Sequence, residues 1–214
     1  MAKVLVVATS KGGTGKTTIA VSLAGHWREA GKRVALYDTD PNMALTRWCG
    51  KGEALSELTI RSDPDEHSVV GTVGELGSEA DYVIIDTAGF GNQAMVYAVG
   101  MADLVLIPVM TDEASLFEAI KMKKIIESAR GLTRRPIPFR TVLNRIKRAA
   151  VVRHTERQLE NLDLNPLQAR IHDRSVFQEA SYHGATPNEL GARSRATLEI
   201  RSVARELEPA FADD

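Results

Sequence analysis

Residues 11–18 read Lys11-Gly12-Gly13-Thr14-Gly15-Lys16-Thr17-Thr18 and follow directly on the apolar run Val4-Leu5-Val6-Val7-Ala8. Glycines at 12, 13 and 15 let successive backbone N–H groups turn toward one anion. The lysine and hydroxyl after the last glycine add a point charge for β- and γ-phosphates and a ligand for Mg²⁺. A helix-like stretch from Thr17 to Ala24 comes next, so strand, glycine loop and helix N-terminus stand in the order that binds phosphate. Lys11, Gly12, Gly13, Thr14, Gly15, Lys16, Thr17 and Thr18 are therefore the expected nucleotide contacts. Position 10, where the general phosphate loop has its first glycine, is Ser10. In exchange, Lys11 opens the loop, and two lysines flanking one glycine loop form a narrower signature than the general motif.

Two further strand ends carry carboxylates. The segment Ala35-Leu36-Tyr37-Asp38 continues as Thr39-Asp40-Pro41. Side chains two apart in an extended segment share a face, which predicts Asp38 and Asp40 aimed at one metal-and-water cluster. Val83-Ile84-Ile85-Asp86 is an apolar strand ending in a carboxylate of the kind that holds Mg²⁺, usually through water. A lone aspartate after a strand is more often a helix cap, but its combination with the loop and the Asp-x-Asp pair argues for a metal set of Thr17, Asp38 and Asp86. Phosphoryl transfer to water needs charge neutralisation on the γ-phosphate, a bridging metal and an oriented water. Lys16 is the expected neutralising charge and Asp40 the group that polarises the water. Lys11 is placed to deliver a cation to the phosphates of a facing subunit.

Strand-like runs near 3–9, 33–38, 58–62, 81–86, 104–108, 139–143 and 167–171 alternate with helical stretches at 16–30, 41–50, 68–76, 113–130, 150–161 and 188–208. Continuous apolar strands alternating with helices predict an α/β fold: a single domain over 1–214 with a doubly wound, mainly parallel sheet and helices on both faces. The polar motifs fall at carboxyl ends of strands, where such sheets bind ligands.

Composition bounds the rest. The chain has 214 residues, 43% hydrophobic and 26% charged, and a single cysteine, Cys49, which cannot form an internal disulfide. A reducing cytoplasm is the expectation. No apolar run approaches a membrane span, and Met1-Ala2-Lys3 leads straight into a strand without a signal peptide. The formal charge of −1 conceals an asymmetry: residues 131–205 hold 14 Lys/Arg against seven Asp/Glu. That balance suits a polyanion, or equally a solvated helix face. Arg193, Arg195, Arg201 and Arg205 belong to the basic C-terminal helical region at about 188–208, and Arg201 and Arg205, four apart, share a face. Arg174 and the cluster Arg145, Lys147 and Arg148 are secondary candidates. Trp27, Trp48 and the methionines read as packing residues, and Phe117 with Leu116 as possible dimer contacts.

These motifs resemble those of the deviant Walker A ATPases of the ParA/MinD superfamily, and the short length is most similar to small ParA-type partition ATPases. The resemblance implies a P-loop NTPase fold, ATP and Mg²⁺ as ligands, and face-to-face dimerisation around two ATP molecules. It also implies Lys11 as the lysine acting in trans and Asp40 as the hydrolysis aspartate. Nonspecific DNA binding by the ATP dimer, a ParB-like or other cargo-linked activator, and a nucleoid-associated cytoplasmic location follow from the same likeness. The cargo would be a plasmid, a chromosome locus or a protein cluster. The family often has Gln where this chain has Asn42, and prolines where Asp86 is followed by Thr87-Ala88-Gly89, a segment similar to signal-recognition GTPases. Guanine readers carry an aspartate shortly after the Asn of this strand end, and Asn144-Arg145-Ile146-Lys147 has none. Adenine is the expectation, with Asn144 either a base contact or a turn residue. Two alternatives share the core: a metabolic or maturation enzyme, such as a dethiobiotin synthetase-like ligase or metal-cluster carrier, and a MinD-like membrane-cycling regulator. The single Cys49 disfavours the carrier. The ending Glu206-Leu207-Glu208-Pro209-Ala210-Phe211-Ala212-Asp213-Asp214 disfavours membrane binding.

Overall fold

A computed structural model describes residues 1–89 and 93–211. Seven strands form one sheet: β1 (Lys3–Val7), β2 (Val34–Asp38), β3 (Thr59–Ser62), β4 (Tyr82–Asp86), β5 (Leu104–Val109), β6 (Phe139–Ile146) and β7 (Pro166–His172). Their spatial order is β3-β2-β4-β1-β5-β6-β7, and every pairing is parallel. The expected doubly wound α/β fold is thus the one observed. Parallel neighbours require crossovers, and the helices that make them cover both faces.

Strand alternation sorts the core into two halves. Leu5, Val7, Leu36, Ile84, Leu106 and Val142 face α1 (Lys16–Glu29), α2 (Ala44–Cys49), α7 (Ser175–His183) and α9 (Arg195–Leu207). Val6, Tyr37, Val83, Ile85, Val105 and Ile107 face α3 (Val69–Glu79), α4 (Gln93–Met101), α5 (Glu113–Thr133) and α6 (Ala149–Asn161). The central strands β1, β2, β4 and β5 bury both sets of side chains, which is why those runs read as continuously apolar. Trp27 stacks on Tyr82 at 4.2 Å between ring centroids, and Phe211 meets both rings edge-on. The aromatic at the end of the described chain therefore belongs to the core, while Ala212–Asp214 lie outside the described residues.

Three expectations need correction. Helices α4 and α7 have no counterpart in the predicted elements. The final helix is broken: α8 (Pro187–Leu190) stops at Gly191, and α9 restarts at Ser194, whose hydroxyl caps Thr197 N–H at 3.2 Å. Finally, β2 ends at Asp38, so Asp40 lies in a turn and the strand alternation that would align the two carboxylates does not reach it.

Candidate functional site

The sheet order places the carboxyl ends of β2, β4 and β1 side by side. Asp38 pairs in register with Asp86, and Asp86 with Val7, directly before the glycine loop. The loop needs its glycines where the backbone turns left-handed: Gly13 has φ +74° and Gly15 φ +90°. Gly15 also marks a close approach, since a Cβ there would lie 2.4 Å from Nδ2 of Asn144.

Lys16 opens α1 and is only 8% exposed. Burial lowers its pKa, and the charges of Asp86 and Asp40 oppose that drop, so both carboxylates act on the ammonium. Asp86 is fully enclosed. The Thr17 hydroxyl donates to its Oδ2 at 2.6 Å, whereas its Oδ1 is buried with no hydrogen-bond partner among the described residues. Burial raises the Asp86 carboxyl to about 7; the Thr17 hydrogen bond opposes the shift and the nearby Asp38 charge adds to it. An orphaned carboxylate oxygen beside a hydroxyl and two further acids is a place where a divalent cation would relieve repulsion. Thr17 and Asp86 thus fit Mg²⁺. Among the described residues, no group of three or more His, Cys, Asp or Glu could hold a metal by itself.

Asp38 is held by the segment that follows its strand. Its Oδ2 accepts from the Thr46 N–H and hydroxyl, each at 2.9 Å, and its Oδ1 accepts from Asp40 N–H at 3.1 Å. It therefore ties the start of α2 to the end of β2. Asp40 Oδ1 accepts from the backbone and side-chain N–H groups of Asn42, at 2.8 and 2.9 Å. That local turn holds its carboxylate at the rim, close enough to Lys16 to act on its charge.

Lys11 is drawn to α5 rather than to Asp86 and Asp40. Its ammonium lies 2.9 Å from Asp112 and 3.2 Å from the Ser115 hydroxyl, at the start of α5. Asp112 is the N-cap of that helix, accepting from Ser115 N–H at 2.9 Å. Ser10 donates to Glu118 one turn further on. The leading edge of the loop is thus held by two acids that the sequence reading passed over. An aspartate directly before a helical stretch is a capping signal, and Asp112 supplies it.

Beside the loop opens a cavity of about 220 Å³ lined by Gly15, Thr18, Asn144, Asp173, Arg174 and Phe177. Asn144 is buried, and its amide donates to the Thr14 carbonyl at 2.6 Å. Asp173, Phe177 and Arg174 enter this site from the end of β7 and the start of α7, an element the sequence did not reveal.

Residues 5–187 match the family model described as the CobQ/CobB/MinD/ParA nucleotide binding domain. The chain belongs to this family. It is a ParA/MinD-type deviant Walker ATPase by its relatives. Protein ParA of Rhizobium radiobacter is 42% identical over 105 residues, covering 49% of this chain and 47% of that protein. The match thus spans about half the length of that relative. Maintenance of carboxysome distribution protein A of Halothiobacillus neapolitanus is 30% identical over 209 residues and 96% of both chains. The septum site-determining protein MinD of Pyrococcus horikoshii, solved in complex with Mg-ADP, superposes with a TM-score of 0.80 at 19% identity, covering 97% of this chain and 96% of that one. That likeness establishes the shared fold.

On this ParA/MinD-type body the C-terminal arginines do not all face the same way. Arg193, Arg195, Arg201 and Arg205 are exposed. Arg174 instead bonds Glu199 of α9 through Nε at 3.2 Å and lines the cavity, so its charge is already paired. The acids of α9 are turned inward. Glu206 accepts from Gln168 and Ala169 N–H, both at 2.8 Å, and Glu199 from His172 N–H at 3.1 Å. They satisfy outward N–H groups of the edge strand β7, which blunts that edge. A helix of mixed sequence charge thereby presents an outer face of Arg195, Leu198, Arg201, Ser202 and Arg205. Among the described residues, no helix is long and apolar enough to cross a membrane. Phe117 is exposed at the start of α5, with the Lys121 ammonium 4.7 Å over its ring.

Proposed function

We propose that this chain is an ATP-driven dimerisation switch that hydrolyses ATP weakly, binds DNA nonspecifically as the ATP dimer, and is reset by a cargo-linked activator. The observation that carries the reading is the opposed placement of the two loop lysines. Lys16 is buried in the field of Asp86 and Asp40, while Lys11 lies at the rim in an exchangeable surface ion pair with Asp112. A rim cation can leave an exposed partner at little cost and reach a facing subunit.

In this reading Gly12 to Thr18 bind the phosphates through backbone N–H groups, and Lys16 holds the β- and γ-oxygens. Thr17 and Asp86 would hold Mg²⁺, which when bound neutralises phosphate charge, with Asp38 on the next strand supporting its hydration shell. Asp40 orients and polarises the attacking water and takes up its proton. Lys11 of the facing subunit adds the cation that stabilises the transferred γ-phosphoryl charge. Asn144 keeps its Oδ1 for the amino group of adenine in the adjacent cavity. The outer arginines of α9, with Arg193, neutralise DNA phosphates, so binding should weaken steeply with salt. Arg174 would contribute only after release from Glu199. The likeness to a carboxysome-distribution protein over nearly the whole chain supports a positioning role, with a protein assembly, plasmid or chromosome locus as cargo. Burial of Phe211 against Trp27 argues against a free membrane-inserting terminus within the described residues.

A DNA-binding titration of the full chain with ATP, ADP or no nucleotide, at two salt concentrations, tests this. ATP-dependent and salt-sensitive binding is expected. Binding indifferent to nucleotide would sink the switch.

A further inference from the structure

The end of β6 breaks a rule of strands. Consecutive strand side chains point to opposite faces, so Asn144 and Arg145 ought to diverge. Yet both reach the glycine loop. Arg145 Nη1 donates to the Gly13 carbonyl at 2.8 Å, and Asn144 Nδ2 donates to the Thr14 carbonyl at 2.6 Å. The backbone makes this possible. Arg145 has φ +55°, a left-handed conformation unfavourable for a residue with a side chain, and the pairing with β7 slips between Leu143 and Ile146. Bulges of this kind re-aim a side chain beside functional sites, and strain of this kind persists where the surroundings enforce it.

The consequence for the loop follows from peptide geometry. No described peptide bond is cis. In a trans peptide the C=O and the following N–H point in opposite directions. Turning the Gly13 carbonyl toward Arg145 therefore turns the Thr14 N–H to the other side of the loop. Turning the Thr14 carbonyl toward Asn144 does the same for the Gly15 N–H. A cationic donor on the Gly13 carbonyl also polarises that peptide and strengthens its N–H as a donor. Asp173 balances the guanidinium, with Oδ1 4.0 Å from Arg145 Nε and Oδ2 3.5 Å from the Lys147 ammonium. Arg145 is 42% exposed in its side chain, yet its Nη1 is committed to the loop.

We infer that Arg145 is a positioning residue for polyphosphate binding, presetting from behind the peptide whose N–H faces the phosphates. The inference rests on the nucleotide-binding reading above, and it removes Arg145 from the set of DNA-facing cations.

Calorimetric titration of the full chain with Mg²⁺ plus ATP or inosine triphosphate, which differ only in the base, tests it. Arg145→Gly deletes the guanidinium and accommodates the positive φ. Its affinity should fall about tenfold for both nucleotides, the factor for one charge-assisted hydrogen bond at a half-exposed site. The nucleotide-free melting temperature should stay level or rise, because glycine relieves the backbone. Arg145→Lys, which can still place an ammonium on the Gly13 carbonyl, should recover to within about threefold. Unchanged affinity in Arg145→Gly overturns the inference. So does a loss confined to one base, or a loss matched by a lower melting temperature without nucleotide. If the unaltered chain binds neither nucleotide, the nucleotide-binding reading itself fails, a result distinct from all three.

Discussion

Replacing Asp112 by asparagine should tighten the ATP-bound dimer, because it weakens the contact from which Lys11 must depart. Asparagine keeps an acceptor for the Ser115 N–H, so the cap of α5 survives and only the charge is lost. The pair is 2.9 Å long, with side-chain exposures of 30% for Lys11 and 42% for Asp112. After solvent screening, such a pair is worth about 0.5 kcal/mol. A two-fold symmetric dimer releases two of these lysines, for about 1 kcal/mol in total, or a dissociation constant about fivefold lower. Sedimentation velocity over a concentration series, with a nonhydrolysable ATP analogue and Mg²⁺ at low salt, resolves a change of that size. At higher ionic strength the difference between variant and parent should shrink as screening replaces the lost competition. A dimer as weak as, or weaker than, the parent at low salt would refute the idea that the ion pair holds Lys11 back.

Asp40→Ala should leave ATP affinity and dimer formation within about twofold while turnover falls by about 10² or more, read as phosphate release at saturating ATP; normal turnover would exclude its role on water. Gly15→Ala forces a side chain into φ +90° and against the Asn144 amide. The backbone alone costs about 1–2 kcal/mol, and losing the buried Asn144 bond adds about 1–3 kcal/mol. Because the second cost is shared with Asn144→Ala, the double variant should lose clearly less stability than the two single changes added together, as a denaturant-based mutant cycle would show; strict additivity would mean the close approach is not felt. Cys49 is 4% exposed, and burial, aided by the Asp38 charge, pushes its thiol up to about 12. Alkylation at pH 8 should therefore be negligible in the native chain and complete in denaturant. Its folded pKa lies above the unfolded one, so this group favours folding at neutral pH and that contribution declines as pH rises from about 9 toward 12.

The motifs were legible because each is local. The loop at 11–18, the apolar strands ending at Asp38 and Asp86, and the alternation of elements are properties of neighbouring residues. What failed was also local in cause. Helix α7 and the break between Leu190 and Ser194 turn on short signals: Gly184 in a left-handed C-cap, then Thr186 and Pro187 opening α8, with Glu189 accepting from Thr186 N–H. These are weak against a general helical pattern extended too far. Asp38 and Asp40 both act on Asp86, but strand alternation is not what brings them there, because the strand ends at Asp38.

Chain order alone thus determined which chemistry the molecule could hold: glycine backbone freedom, a lysine and hydroxyl in fixed spacing, and carboxylates closing apolar strands. Tertiary structure decided which charges remain available for it. Glu199 and Glu206 are consumed by the edge of β7, leaving one arginine face on α9, and Lys11 and Lys16, five residues apart, are sent to opposite environments. A charge acts through its partners and its exposure, and both are set by contacts between residues far apart in sequence.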